Sequence, residues 1–209
     1  MKKLSSILFL SALSFASTVS AATIFTDGFA AAAGGTTTLA VTTAGNFTAT
    51  TANVDLISSG GNYGNLCPVG KTACVDLDGT GSGNEAATIT SGNISLTPGV
   101  YTLTFQLDGT GRGVAGSTTV SLGSFYNKTI TDSPAGTISP DTFSVTFTVT
   151  TATSAPIVFT SNTAGQIGDI LSSVTLATVT SPEPSTAFLM SLPLLAFGAL
   201  AYRRSKVRA

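Results

Sequence analysis

Val100-Tyr101-Thr102-Leu103-Thr104-Phe105-Gln106-Leu107 is the stretch that decides the fold. Tyr101, Leu103, Phe105 and Leu107 fall on one side of an extended chain, and Thr102, Thr104 and Gln106 on the other. This is the period of two that a strand with one buried and one wet face requires. Phe143, Val145, Phe147 and Val149 repeat it against Ser144, Thr146 and Thr148, and Ser172, Val174 and Leu176 continue it more weakly.

Working outward, turn signals separate these runs: Ser59-Gly60-Gly61-Asn62, Asp78-Gly79, Ser91-Gly92-Asn93, Thr97-Pro98-Gly99, Asp108-Gly109 and Ser139-Pro140-Asp141. Their density leaves little room for helices and predicts an all-β antiparallel sandwich or barrel. The abundant threonine agrees, since a branched Cβ suits a pleated surface and a hydroxyl suits its solvated side. The Thr/Ala/Gly-rich region 30–51 reads as further strands anchored by Leu39, Val41 and Phe47 rather than as a linker.

Hydrophobic residues make up 43% of the 209 and charged residues only 9%, with much of the apolar excess at the two ends. Met1-Lys2-Lys3, the apolar run Ile7 to Phe15 and the small residues Ser17 to Ala21 predict a signal peptide over 1–21, removed by signal peptidase after passage through the secretion machinery. One domain is expected over 22–180. Its cations are Lys71, Arg112 and Lys128, against Asp27, Asp55, Asp76, Asp78, Glu85, Asp108, Asp132, Asp141 and Asp169, so its net charge is 3 − 9 = −6. An acidic domain without a basic stripe excludes nucleic acid as a partner.

Cys67 and Cys74 sit in a Gly- and Pro-containing loop of a chain read as exported, where a disulfide is expected. Two cysteines and no histidine fall short of a structural zinc site. The missing histidine also removes Ser-His and Cys-His nucleophile pairs. A paired-carboxylate glycosidase is the remaining enzyme reading, and nothing in the sequence sets two carboxylates at the needed separation. The chain reads as a non-enzyme.

The segment 181–209 has three parts in order: Pro182-Glu183-Pro184, an uncharged run over 185–202, and a basic end with Arg203, Arg204, Lys206 and Arg208. As a helix the run measures about 27 Å, close to the thickness of a bilayer's hydrocarbon core. It predicts one transmembrane helix with the basic end in the cytoplasm. This order resembles the PEP-CTERM sorting tail of Gram-negative bacteria. Ser181 stands where that family often has Val, and Phe188 near where it often has Trp. The resemblance implies recognition of Pro182, Glu183 and Pro184 by an exosortase, anchoring in the inner membrane before processing, and then a place at the cell surface or in the extracellular matrix. The middle of the chain, in Cys74-Val-Asp-Leu-Asp-Gly79, Pro98 to Phe105 and Ile170 to Leu176, is similar to the ectodomains that such tails carry. That similarity implies a single galactose-binding-like jelly roll and a structural or adhesive role with exopolysaccharide in biofilm. A carbohydrate-binding module with a defined glycan is the alternative.

Two sets of residues are candidates for binding. Asp76 and Asp78, on one face of a strand, with Glu85 beyond a glycine-rich turn, are candidate calcium ligands, or else a turn with carboxylates that keep the surface soluble. Tyr63, Arg112 and Tyr126 are candidate glycan contacts: tyrosines beside turns in a chain with no Trp, and the domain's one arginine, which otherwise pairs with a carboxylate. Tyr101 belongs to the core by its alternation.

Overall fold

The computed structural model describes residues 21–30, 34–81, 86–110, 114–131, 141–163 and 168–179. The signal peptide, the sorting motif Pro182 to Pro184, the apolar run and the basic end lie outside the described residues, as do Glu85 and Arg112.

Residues Ala21–Val179 form one compact unit of two antiparallel sheets. The first sheet contains β1 (Thr23–Asp27), β2 (Thr38–Val41), β5 (Val54–Ser58), β6 (Ala73–Asp76), β9 (Gly99–Asp108), β12 (Asp141–Val149) and β15 (Ile170–Val179). Its order is β12-β9-β15-β6-β5-β2, with β1 also pairing β15. The second contains β3 (Thr43–Ala44), β4 (Phe47–Ala49), β7 (Thr88–Ser91), β10 (Ser117–Leu122), β11 (Tyr126–Thr131) and β14 (Ile157–Ser161), in the order β11-β10-β14-β7-β4-β3. A short pair, β8 (Ile94–Leu96) with β13 (Thr153–Ala155), completes the unit. The expected all-β sandwich is present, and the region around Leu39, Val41 and Phe47 does form strands β2 to β4.

The deciding stretch is β9, whose Tyr101, Leu103, Phe105 and Leu107 are buried as its alternation requires. Phe105 stacks on Phe143 of β12 with ring centres 5.3 Å apart, and meets Phe159 of β14 edge-on at 5.5 Å, so it bridges the two sheets. Phe47 of β4 touches Phe25, Phe29 and Phe159. One core therefore runs between the sheets, as face-to-face packing demands.

On the outer face of the first sheet the polar half of the pattern forms hydroxyl ladders. Thr102 pairs Thr146 at 3.1 Å, Thr104 pairs Ser144 at 3.4 Å, and the Gln106 carboxamide donates to Thr142 at 3.2 Å. Such cross-strand pairs tie neighbouring strands together without apolar surface.

The loop after β5 folds over that outer face. Its 3-10 turn Gly64–Leu66 and the Cys67–Cys74 disulfide enclose a second small cluster with Ile57 and Ile170. With only seven residues of separation, the bond contributes about 2 to 3 kcal/mol by loop closure and staples this one flap. Lys71 in the flap reaches Ser173 of β15 at 3.4 Å.

Candidate functional site

Of the three candidate calcium ligands, the two within the described residues, Asp76 and Asp78, are buried. Asp76 is 1% exposed and Asp78 is fully buried, so neither serves surface solubility, and that half of the sequence reading is corrected. Strand register explains it: Asp55 of β5 aligns with Asp76 of β6, Asp76 with Ile170 of β15, and Ile170 with Asp108 of β9. Aligned residues share a face, so three aspartates stand in one row at the end of the sheet, beneath the loops that cross it.

Several of the buried carboxylates serve as backbone acceptors. Asp76 Oδ1 accepts from the amides of Asp78 and Gly168, each at 3.0 Å. Asp55 Oδ1 accepts from the amide of Ala40 at 2.8 Å and from the amide of Thr80 at 3.1 Å. Asp27 accepts from the amides of Phe29 and Asn46, and Asp169 from the Thr118 hydroxyl. The bonds from Phe29 to Asp27 and from Asp78 to Asp76 are the two-residue aspartate turns that side-chain carboxylates favour. Phe29 and Ala40 both have left-handed backbone, with φ of 61° and 55°, and each is held there by one of these carboxylates. Among the described residues no three Asp, Glu or Cys side chains gather as a metal-holding group.

The glycan candidates do not come together as one surface in what is described. Tyr63 is 52% exposed and caps the 3-10 turn with left-handed backbone. Tyr126 opens β11, lies half-buried and packs against the core, and burial raises its phenol above the usual 10.0. Tyr101 is core, and its hydroxyl donates to the Thr97 carbonyl at 2.7 Å.

A different surface forms a shallow, open groove. The groove, of about 700 Å³, is lined by Ile24, Phe25 and Thr26 of β1, Asn46 of the β3–β4 turn, Gly92 and Asn93 between β7 and β8, and Ile94 and Ser95 of β8. Register builds it. The β1–β15 pairing shifts between Thr23 and Phe25, a bulge that leaves Ile24 outside the ladder and 38% exposed. Gly45, with φ of 58°, supplies the tight turn before Asn46, and a Cβ there would strike the Asp27 carboxylate. The Asn46 carboxamide donates to the Thr26 carbonyl at 3.3 Å, which fixes one wall. The Ser91 hydroxyl, accepting from the Ile157 amide and donating to the Gly92 carbonyl, holds the opposite turn.

The lining joins two carboxamides and two hydroxyls to the apolar edges of Ile24, Phe25 and Ile94, and contains no charged residue. It can exchange neutral hydrogen bonds with a polyol while resting its carbon face on apolar side chains. Sequence reading named Asn93 only as part of a turn. Across the groove it faces β1 and the β3–β4 turn, segments remote from it in the chain, which no local pattern reveals.

No protein-family model matches the chain, and no curated protein matches it. Among solved structures, the CBM22-1 xylan-binding domain of Paenibacillus barcinonensis Xyn10C is 10% identical over 79% of this chain and 99% of that one, with a TM-score of 0.47. The tandem CBM22-1-CBM22-2 domain of the same protein gives 10% identity, 82% and 49% coverage, and a TM-score of 0.48. An exo-beta-1,3-galactanase from Phanerochaete chrysosporium is 15% identical over 68% of this chain, with a TM-score of 0.42, and the chain spans only 29% of it.

Proposed function

We propose that this is an exported surface protein whose sandwich binds a neutral polysaccharide in the groove between β1 and β8. The uncharged lining of carboxamides, hydroxyls and isoleucine edges carries this reading. It also favours the binding module over a purely structural matrix protein, which needs no such groove. The disulfide fits an oxidising compartment outside the cytoplasm. Titrating the full chain in detergent with neutral oligosaccharides of xylan, mannan and β-glucan type by calorimetry tests it. One of them binds saturably, the affinity is insensitive to added salt because no charge lines the groove, and Asn93→Ala weakens it about tenfold without changing the melting temperature. Absence of binding to every neutral glycan, or binding that Asn93→Ala leaves untouched, removes the groove from the account.

The tail supports a second part of the reading, retention of the protein at the cell surface through exosortase processing. The motif Pro182-Glu183-Pro184, followed by an uncharged run and a basic end, carries it. Replacing the three residues by alanine is expected to leave an unprocessed chain in the inner membrane, read by intact mass and fractionation. A variant that is processed and reaches the cell surface like the natural chain rules the motif out.

A further inference from the structure

Strand β12 is the edge of the first sheet, and among the described residues it pairs only with β9. Edge strands in soluble proteins usually carry a lysine, a proline, a bulge or a short length that blocks further pairing. β12 has none of these: Asp141-Thr-Phe-Ser-Val-Thr-Phe-Thr-Val149 is nine residues long, keeps unbroken register with β9 throughout, and is uncharged after its first residue. Its inward Phe143 and Val145 remain half-buried although they pack on the core.

We infer that β12 pairs antiparallel with β12 of a second copy, centred on Val145, to join two first sheets into one continuous sheet. The strand is complementary to itself in that register. Phe143 falls opposite Phe147, Val145 opposite Val145, Ser144 opposite Thr146, and Thr142 opposite Thr148. Apolar residues therefore meet on the core side, and hydroxyls meet on the outer side, as they already do between β9 and β12 at Thr102 and Thr146. The one charge, Asp141, faces Val149 rather than its own copy, so no like charges oppose. A slip of one residue would set the core side of one strand against the wet side of the other, and of the registers that keep the faces together only the one centred on Val145 pairs all nine residues of both strands. The contact is isologous, so it closes at two copies. It is also small, which places the dimer in the weak, concentration-dependent class.

Sedimentation of the full chain in mild detergent over a wide concentration range tests this, with two variants on the exposed face. Ser144 and Thr146 are exposed, so substitutions there leave the monomer's core alone. S144K/T146K sets two lysine pairs across the dimer and is expected to raise the dissociation constant about tenfold. S144K/T146E instead sets each introduced lysine against the introduced glutamate of the other copy, and restores dimerisation to at least the natural level. That rescue depends on the register centred on Val145 and does not follow from folding alone. A natural chain that stays monomeric throughout, or a dimer that ignores S144K/T146K, overturns the pairing. Slow hydrogen exchange in the monomer at the β12 amides that point away from β9 also overturns it, because another segment of the same chain then covers the edge.

Discussion

Phe105→Ala lowers the unfolding free energy by about 3 to 5 kcal/mol, enough to leave a marginal domain largely unfolded at growth temperature. Phe105 is 1% exposed, and it is the ring through which β9 touches both its sheet neighbour Phe143 and the opposite sheet at Phe159. Truncation opens a cavity between two sheets whose strands are held by ladders on both sides, so collapse around it is limited. The geometry of the lost ring pairs adds to the transfer cost. Phe143→Ala provides the internal comparison. That ring stacks on the same partner from a half-buried edge position, and its loss is expected to be about half as large. Urea unfolding of the full chain, followed by circular dichroism, measures both. Equal losses for the two positions would mean that the sheets do not meet at Phe105.

The positions that sequence alone located best are those where one face is buried and the other wet. β9 from Tyr101 to Leu107 and β12 from Phe143 to Val149 qualify, and there the alternation maps onto burial residue by residue. β15 was weaker in sequence for a physical reason. Its register with β9 shifts between Leu171 and Ser173, and the extra residue, Ser172, is buried, so the period of two breaks at that point. β5 and β6 carried no alternation because the flap closed by Cys67 and Cys74 covers their outer face, and both are buried throughout. Strand order was not legible at all. β15 lies between β9 and β6, about sixty and ninety residues away in sequence, and only the closed core selects those partners.

The acidic residues show the same division. Their abundance was plain, and it read as a soluble surface or a calcium site. Burial depends on the loops that cross the sheet end, and a composition gives no sign of them. Asp27, Asp55 and Asp76 instead fasten loop backbone to the sheet. The two-residue aspartate turn was the one clue present in sequence, since Asp76 precedes Asp78-Gly79 and Asp27 precedes Gly28-Phe29. The groove was less legible still. Ile24 is exposed only because β1 bulges, and Asn46 and Asn93 stand on turns that the fold brings together.

Asp55→Ala is the second substitution with a large effect, a loss of about 3 kcal/mol. Its carboxylate accepts from the Ala40 amide at 2.8 Å, from the Thr80 amide at 3.1 Å and from the Thr80 hydroxyl at 3.3 Å, and so ties the edge strand β2 and the turn after β6 to β5. Removing it takes the acceptor from the Ala40 amide at a site where Asp55 itself is only 3% exposed. The backbone adds a further cost. Ala40 sits at φ of 55°, a conformation that disfavours a Cβ by about 1 to 2 kcal/mol, and the Asp55 bond is what holds it there. Glycine adopts that conformation freely, so Ala40→Gly stabilises the natural chain by about 1 kcal/mol. In the Asp55→Ala background the segment is free to relax to an ordinary conformation, and the same substitution gains nothing. The two changes are therefore non-additive by about 1 kcal/mol, which a double-mutant cycle from urea unfolding resolves. Strict additivity would show that the carboxylate and the strained backbone act independently, and that Asp55 contributes only the hydrogen bonds it accepts.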